Sequence, residues 1–362
     1  MIDAINPNPE TKERDLTSEL QAYIKEKSRK DEFSGAVLVA KNFVPVLEHS
    51  SGLANKEQHI PNQLETKFNL GSATKMFTGV AIAQLVEAGK ISFQDTIGRL
   101  LPDYPNKDVA SKVIVRHLLT HTSGLGHYLN EKFMAAREGL KTIDDFINLF
   151  VDEPLLFEPG TKVSYSGNGY TVLGKIIEAI SGKTYFDFVR ENIFQKAGMP
   201  NTDSYEIDPN NLRPDIAVGY TRRLDIQGNM GEGERKDNLW INLIKGEAGG
   251  GGYSTCPDLL SFSKALMTHQ LLSSEMTKTI LTPYVNEGTN DGQTKSEGYG
   301  FQVWDINGVK RVGHPGRFAG VNARFDVFPD LGFTVVVLSN YDPPSAFDIA
   351  EEATRLITQY EH

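Results

Sequence analysis

The chain contains the stretch Gly71-Ser72-Ala73-Thr74-Lys75 directly before an apolar segment at helical spacing that ends near Gly89. Side chains three positions apart share one face of a helix, with Cβ atoms roughly 5–6 Å apart. Ser72 and Lys75 are therefore predicted to be neighbours at a helix start. A serine hydroxyl needs such a partner to take its proton before it becomes a good nucleophile. Taken alone, the pair is better explained as a helix N-cap and a surface lysine, so further motifs must decide.

Strand-like segments stand at both ends of the chain, and helical patterns fill its middle. The strands are predicted at 34–42, 43–49, 299–304, 310–313, 321–327 and 333–338, and the helices at 12–30, 75–89, 141–151, 170–199 and 347–360. This order predicts an α+β fold, in which an antiparallel sheet formed from both chain ends is flanked by helices. We expect a single domain over residues 1–362, with a sheet lobe from about 12–70 and 245–362 and a helical lobe at about 71–244.

Composition excludes several classes of protein. The 362 residues include 37 Lys and Arg against 47 Asp and Glu, so the formal charge of −10 disfavours a nucleic-acid partner. No apolar run approaches the ~20 residues of a transmembrane helix. The single cysteine allows no intramolecular disulfide. The first thirty residues lack the apolar core of a signal peptide, which predicts a cytoplasmic protein if Met1 is the native start, and otherwise an exported one whose signal was removed.

Two further motifs follow the serine and lysine in the chain. Tyr165-Ser-Gly-Asn-Gly-Tyr170 precedes a predicted helix, and His314-Pro315-Gly316 ends a predicted strand. A serine with a lysine, then a loop tyrosine, then a basic residue and a glycine on a strand resembles the serine β-lactamase and penicillin-binding-protein superfamily. The resemblance is strongest to its class C-like branch of esterases and D-aminopeptidases, and it covers about residues 18–358. The same resemblance extends to 68–75, 117–125, 249–258 and 325–340.

The resemblance implies roles for the matching residues. Ser72 matches the acylated nucleophile, Lys75 its general base, and Tyr165 the tyrosine that passes a proton to the leaving group. His314 stands where many relatives carry the lysine of a K-T-G motif, and we expect it to orient the substrate. The resemblance also implies an oxyanion hole formed by two backbone N–H groups.

The implied oxyanion donors are the N–H groups of Ser72 and of Arg317, which follows the motif glycine Gly316. One position departs from the pattern of the family. The asparagine of its Y-x-N motif, which contacts the amide of a β-lactam, falls here on Gly167, and Asn168 comes one position late. A shifted loop that brings Asn168 into place stays open at this point.

Other chemistry-bearing residues have simpler interpretations. The alternatives are a catalytic triad of Ser72, His314 and Asp326 or Asp330, a metal site at His117 and His121, a base at Tyr170, a nucleophile at Cys256, a pocket border at His127 and Tyr128, and a phosphate cradle at Gly249–Gly252. Metal ligation is disfavoured because no nearby glutamate completes a metalloprotease pattern. The tetraglycine lacks the lysine of a phosphate-binding loop. A lone cysteine is more often a packed side chain than a nucleophile.

These observations predict a serine hydrolase that cleaves an ester or amide through an acyl-serine intermediate, with esterase or peptidase activity ranked above β-lactamase activity. The alternatives are a β-lactamase, a D-alanyl-D-alanine carboxypeptidase, or a non-catalytic relative that binds a ligand or acts as a scaffold. We expect a small ester, amide or peptide as substrate, with no cofactor and no metal. The oligomeric state does not follow from the sequence.

Overall fold

The computed structural model describes residues 9–290 and 292–360. The helices are α1 (Pro9–Arg29), α2 (Lys75–Glu87), α3 (Ile97–Leu100), α4 (Lys107–Lys112), α5 (Val115–Leu119), α6 (Glu131–Ala136), α7 (Ile143–Ile147), α8 (Gly167–Ser181), α9 (Tyr185–Val189), α10 (Gln195–Ala197), α11 (Cys256–Met267), α12 (Ser274–Ile280) and α13 (Ser345–Tyr360). Short 3₁₀ turns lie at Gly71–Thr74 and Arg137–Gly139, and a π-helical turn at Arg190–Phe194.

The strands are β1 (Gly35–Lys41), β2 (Val44–Ser51), β3 (Leu53–Asn55), β4 (Ile60–Pro61), β5 (Phe68–Asn69), β6 (Tyr220–Thr221), β7 (Lys236–Asp237), β8 (Tyr253–Ser254), β9 (Val285–Asn290), β10 (Gln293–Glu297), β11 (Gln302–Ile306), β12 (Val309–Phe318), β13 (Val321–Phe328) and β14 (Phe333–Ser339). Eight of them form one sheet in the order β2-β1-β14-β13-β12-β11-β10-β9. Every neighbouring pair in this sheet is antiparallel. The predicted α+β fold is thus confirmed, since β1 and β14 join the two ends of the chain.

The central strands are buried on both faces of the sheet. Because successive strand residues point to opposite faces, Val37 and Val337 pack with α1 and α13 on one face, whereas Leu38 and Val336 pack with the helical region on the other. This layering explains the nearly unbroken apolar sequence of β1 and β14, which a half-exposed strand does not have.

Helix α2 forms the centre of the helical region. Its apolar side chains point in every direction, and most of them are buried, as expected for a helix enclosed by protein on all sides. The chain leaves the helix through Gly89, whose φ of +67° suits glycine. Lys75 begins the helix, so the buried core fixes the position of its backbone.

Several elements differ from the sequence prediction. Strand β12 continues to Phe318, which places His314 inside a strand rather than at its end. The β9–β10 hairpin and helices α11 and α12 were not predicted, and the segment predicted helical at 170–199 is broken into α8, α9, a π turn and α10. Within the described ranges, no helix is both long and apolar enough to cross a membrane. The division into a sheet lobe and a helical lobe stays a prediction.

Candidate active site

The structure brings Ser72, Lys75 and Tyr165 together. Ser72 lies in the 3₁₀ turn Gly71–Thr74, which runs directly into α2. Lys75 Nζ donates to Ser72 Oγ at 3.3 Å, and the hydroxyl of Tyr165 donates to the same oxygen at 2.5 Å. The serine oxygen therefore contacts two groups that carry exchangeable protons, on side chains from separate parts of the chain.

The ammonium group of Lys75 is held in a buried position. Only 1% of the residue is exposed, and Nζ also donates to the backbone carbonyl of Gly249. Nζ lies 4.9 Å from the ring centre of Tyr165 and 5.2 Å from that of Tyr170. Aromatic faces attract a cation, so these rings help to fix the position of Nζ beside Ser72.

Two glycines let strand β12 approach the 3₁₀ turn closely. A Cβ atom on Gly316 would lie 1.8 Å from the carbonyl oxygen of Leu70, and one on Gly71 would lie 2.9 Å from the backbone nitrogen of Arg317. Gly71 also has a φ of +50°, which a residue with a side chain rarely adopts. The approach brings the backbone of Arg317 beside the turn that carries Ser72, where both N–H groups are candidates for an oxyanion hole.

His314 lies on β12, opposite Phe325 of β13, so the two side chains share the face that carries the helical region. Its Nδ1 donates to the carbonyl of Pro315 at 2.7 Å, which leaves the lone pair on Nε2. Burial, and to a smaller extent the nearby charge of Lys75, lower the pKa of His314 to about 3. The imidazole is therefore neutral at physiological pH.

The structure does not assemble the alternative triad. Asp326 lies on the opposite face of the sheet, where its carboxylate pairs with Arg324 at 2.7 Å. Asp330 lies in the turn between β13 and β14. Among the described residues, no hydrogen bond links His314 with Ser72. The geometry therefore favours a positioning role for His314 over that of a base in a triad.

We expect His314→Gln to raise KM more than it lowers kcat, because the variant loses an orienting ring but keeps the groups around Ser72. The shape of the pH–rate profile between pH 5 and 9 should also be retained, since a group with a pKa of about 3 takes up its proton only below this range. Steady-state kinetics across that range test both expectations. Loss of acylation as complete as in Ser72→Ala would instead favour the triad.

Ser72, Lys75, Tyr165, His314 and Arg317 line one cavity of about 880 Å³. This volume lies within the range of small-molecule sites, which run from about 300 to 1,000 Å³. The tetraglycine segment contributes part of the wall, because Gly249, Gly250 and Gly251 line the cavity as well. The carbonyl of Gly249 accepts the hydrogen bond from Lys75, and Gly250 lies against the backbone of Gly71. The segment therefore packs against the site residues and does not form a phosphate cradle.

Comparison with known proteins identifies the family. Residues 20–359 match the family model described as Beta-lactamase. The chain belongs to the Beta-lactamase family. It is 30% identical over 338 residues to penicillin-binding protein 4* of Bacillus subtilis, covering 91% of this chain and 73% of the relative. It is 31% identical over 208 residues to esterase EstB of Burkholderia gladioli, covering 54% of this chain and 53% of the esterase.

Among solved structures, a penicillin-binding protein from Bacillus halodurans is similar at a TM-score of 0.79 and 32% identity, covering 93% of this chain and 98% of that one. The resemblance inferred from the motifs is therefore confirmed. Membership in the Beta-lactamase family makes this chain, in general terms, a serine hydrolase.

The prediction that Asn168 contributes to the site of this Beta-lactamase family member does not match the structure. Gly167 begins α8 and lines the cavity, but Asn168 is only 1% exposed and does not line it. Consecutive residues of a helix are rotated by about 100°, so a side chain one position late points away from the cavity and into the protein. Neither amide atom of Asn168 has a hydrogen-bond partner among the described residues.

The two histidines considered as metal ligands do not share a helix face. Helix α5 ends at Leu119, and His121 has a φ of +56° beyond its end. His117 Nδ1 accepts from the N–H of Ile114, and His121 Nδ1 accepts from the N–H of Ser166. Within 9–290 and 292–360, no group of three or more His, Cys, Asp and Glu residues is arranged to hold a metal ion.

Two other candidates are buried and, among the described residues, make no hydrogen bond with Ser72. The hydroxyl of Tyr170 donates to the carbonyl of Leu119 at 2.9 Å, and burial raises its pKa well above the ordinary value. The thiol of Cys256 is fully buried, and burial raises its pKa strongly. Because a reactive thiol needs a lowered pKa, Cys256 is a packed side chain in this structure.

Sequence reasoning missed Glu247, a fully buried carboxyl group behind the cavity. It accepts hydrogen bonds from Tyr128 Oη at 2.9 Å and from Thr171 Oγ1 at 3.1 Å. Burial raises the pKa of Glu247, while the charge of Lys75 acts in the opposite direction. No local signal identifies this residue, since a glutamate beside glycines is typical of a surface turn.

Proposed function

We propose that this protein hydrolyses a small ester or amide through a covalent acyl intermediate on Ser72. The observation that carries the proposal is the contact of Ser72 Oγ with both Lys75 Nζ and Tyr165 Oη, at 3.3 and 2.5 Å. A non-catalytic scaffold has no physical need for this arrangement of a lysine and a tyrosine around one serine oxygen. The fold alone does not select the substrate, so the proposal rests on the site.

The proposed reaction has two halves. In the first, the Lys75–Tyr165 pair has already lost one of its protons and takes that of Ser72 as Oγ attacks the substrate carbonyl, and the N–H groups of Ser72 and Arg317 stabilise the oxyanion. The bond to the leaving group then breaks, and the departing atom takes a proton through Tyr165. In the second half, water attacks the acyl carbon and gives a proton to the Lys75–Tyr165 pair. The bond between Ser72 Oγ and the acyl carbon then breaks, Oγ takes up a proton from the pair, and the acid leaves.

Labelling with a fluorophosphonate tests the enzyme class. The probe should attach to one residue, Ser72, and peptide mapping by mass spectrometry identifies the site. A parallel panel of p-nitrophenyl esters, D-amino acid amides and a chromogenic cephalosporin then ranks the substrate classes. Absence of both labelling and turnover would support a non-catalytic relative that binds a ligand or acts as a scaffold.

We expect the kcat/KM for p-nitrophenyl butyrate to exceed that for a chromogenic cephalosporin. Gly167 and His314 stand where the family resemblance places an asparagine and a lysine that hold a β-lactam. Each lost polar contact in a desolvated site costs about 1–3 kcal/mol, and 1.36 kcal/mol is tenfold in rate. An activated short-chain ester needs only the nucleophile and the oxyanion donors.

One enzyme preparation assayed on both substrates checks this prediction. Faster turnover of the cephalosporin would contradict the argument from Gly167 and would favour a β-lactamase. Efficient release of D-alanine from a D-alanyl-D-alanine peptide, together with slow ester turnover, would favour the carboxypeptidase alternative.

A further inference from the structure

The imidazole of His127 forms part of the cavity wall beside the proposed catalytic groups. His127 lines the same cavity as Ser72, Lys75 and Tyr165. Its ring lies 6.3 Å from that of Tyr165, with the two planes inclined by only 28°. The residue is exposed, and it lines this cavity. The imidazole is therefore within reach of a substrate bound beside Tyr165.

The loop that carries His127 is anchored in the interior of the protein. The next residue, Tyr128, is buried, and its hydroxyl donates to Glu247 at 2.9 Å. The ring of Tyr128 also packs against that of Phe146, with centres 5.3 Å apart. These contacts restrict the loop backbone, so the position of the imidazole is defined by neighbours outside the cavity.

The His127 ring fills the space that a side chain at position 167 would need. A Cβ atom built on Gly167 would lie 2.9 Å from Cε1 and 3.0 Å from Nε2 of His127. Real Cβ atoms rarely approach other atoms so closely, so a side chain at 167 would displace the imidazole from this position. The absence of a side chain at Gly167 thus leaves the space that the His127 ring occupies in the cavity wall.

The hydrogen bonds of His127 define which ring nitrogen carries the proton. Nδ1 accepts from the N–H of Leu129 at 3.3 Å, so in the neutral ring the proton is on Nε2. Desolvation, with a smaller contribution from Lys75, lowers the pKa of His127 to about 4, and the ring is neutral at pH 7. In the part of the chain that the structure describes, this Nε2–H has no acceptor. It is a free donor in the cavity.

We propose that His127 is a specificity-determining residue whose Nε2–H donates a hydrogen bond to an amide carbonyl of the substrate next to the scissile bond. This inference rests on the proposed function and adds a substrate class to it. Esters and amides that carry a neighbouring amide carbonyl should be preferred over alkyl compounds of the same length. The carbonyl can belong to the acyl side or to the leaving side, and two substrate pairs distinguish these sources.

The first pair is p-nitrophenyl N-acetylglycinate and p-nitrophenyl pentanoate, whose acyl chains have equal length. The second pair is the pentanoate ester of glycolamide and propyl pentanoate, which differ on the leaving side. The measured quantity is the ratio of kcat/KM within each pair. His127→Phe keeps a ring of similar size but removes the donor, and we expect one of the two ratios to fall by about 5- to 10-fold.

Two further variants sharpen the test. In the double variant His127→Ala/Gly167→Asn, the first substitution removes the imidazole and the second supplies an amide N–H donor in its place. This double variant should restore much of the kcat/KM ratio that the single variant His127→Ala loses. His59→Asn changes an exposed histidine outside the cavity and should leave both ratios as in the parent protein. Both ratios unchanged in His127→Phe would overturn the proposal.

Failure of this inference is distinguishable from failure of the proposed function. Fluorophosphonate labelling of Ser72 in the parent protein reports the acyl chemistry and does not depend on a substrate amide. Labelling with unchanged ratios in His127→Phe rejects only the role of His127. Absence of both labelling and turnover in the parent protein rejects the proposed function itself.

Discussion

Replacing Ser72 with alanine should abolish formation of the acyl-enzyme and lower kcat/KM for esters by about 10⁴- to 10⁶-fold, the range typical of a lost nucleophile. The reason is chemical, because no other described hydroxyl contacts both Lys75 and Tyr165. The substitution removes one oxygen at a partly exposed position, so the protein should fold as before. Mass spectrometry after incubation with a fluorophosphonate measures the adduct directly.

Ser111→Ala is the matched control for this experiment. Ser111 is exposed on α4, and its hydroxyl donates to the carbonyl of Asp108, outside the cavity. This variant should be labelled and active like the parent protein. An adduct that persists in Ser72→Ala, on any other residue, would contradict the assignment of the nucleophile.

The double substitution Lys75→Ala/Tyr165→Phe should be little worse than the more damaging of its two single substitutions. General acid–base groups contribute about 10²- to 10⁴-fold each, so independent losses would multiply to about 10⁴- to 10⁸-fold. Both groups contact the same oxygen, and Lys75 Nζ lies 4.9 Å from the ring centre of Tyr165. Residues that act as a unit show strongly non-additive losses.

Rates of acylation measured under single-turnover conditions for the four proteins test this coupling. Circular dichroism and thermal unfolding control for folding, because Lys75 is buried and its truncation leaves unfilled space. Strictly additive losses in the logarithm of the rate would mean that Lys75 and Tyr165 act in separate steps.

The parts of the site that follow from local geometry could be predicted from the sequence. Ser72 and Lys75 are three residues apart at a helix start, and this spacing alone brings them together. The strands at both chain ends could be predicted because they are rich in β-branched apolar residues and are bounded by turn residues. The addition of Tyr165 required the family resemblance, since it comes from a distant loop.

The parts of the fold and site that the sequence did not predict depend on contacts between residues far apart in the chain or on polar segments without a clear pattern. Tyr128 and Glu247 are 119 positions apart in the chain, and only the fold makes them partners. The β9–β10 hairpin was missed because β9 is largely exposed and polar, without apolar alternation. Asn168 was misjudged because one step along a helix turns a side chain from the cavity into the interior.

The pairing of β1 with β14 has a consequence for how the active site is made. Gly35 is paired with Ser339, about 300 residues later in the chain. Contacts of such long sequence separation form slowly, because a large loop must close first. During synthesis, the ribosome must release residues up to Ser339 before β14 can insert between β1 and β13. Ser72 and Lys75 are made early, but His314 and the Arg317 backbone can join them only after β12 to β14 have been made, so the proposed site stays incomplete over most of the time in which these residues are synthesised.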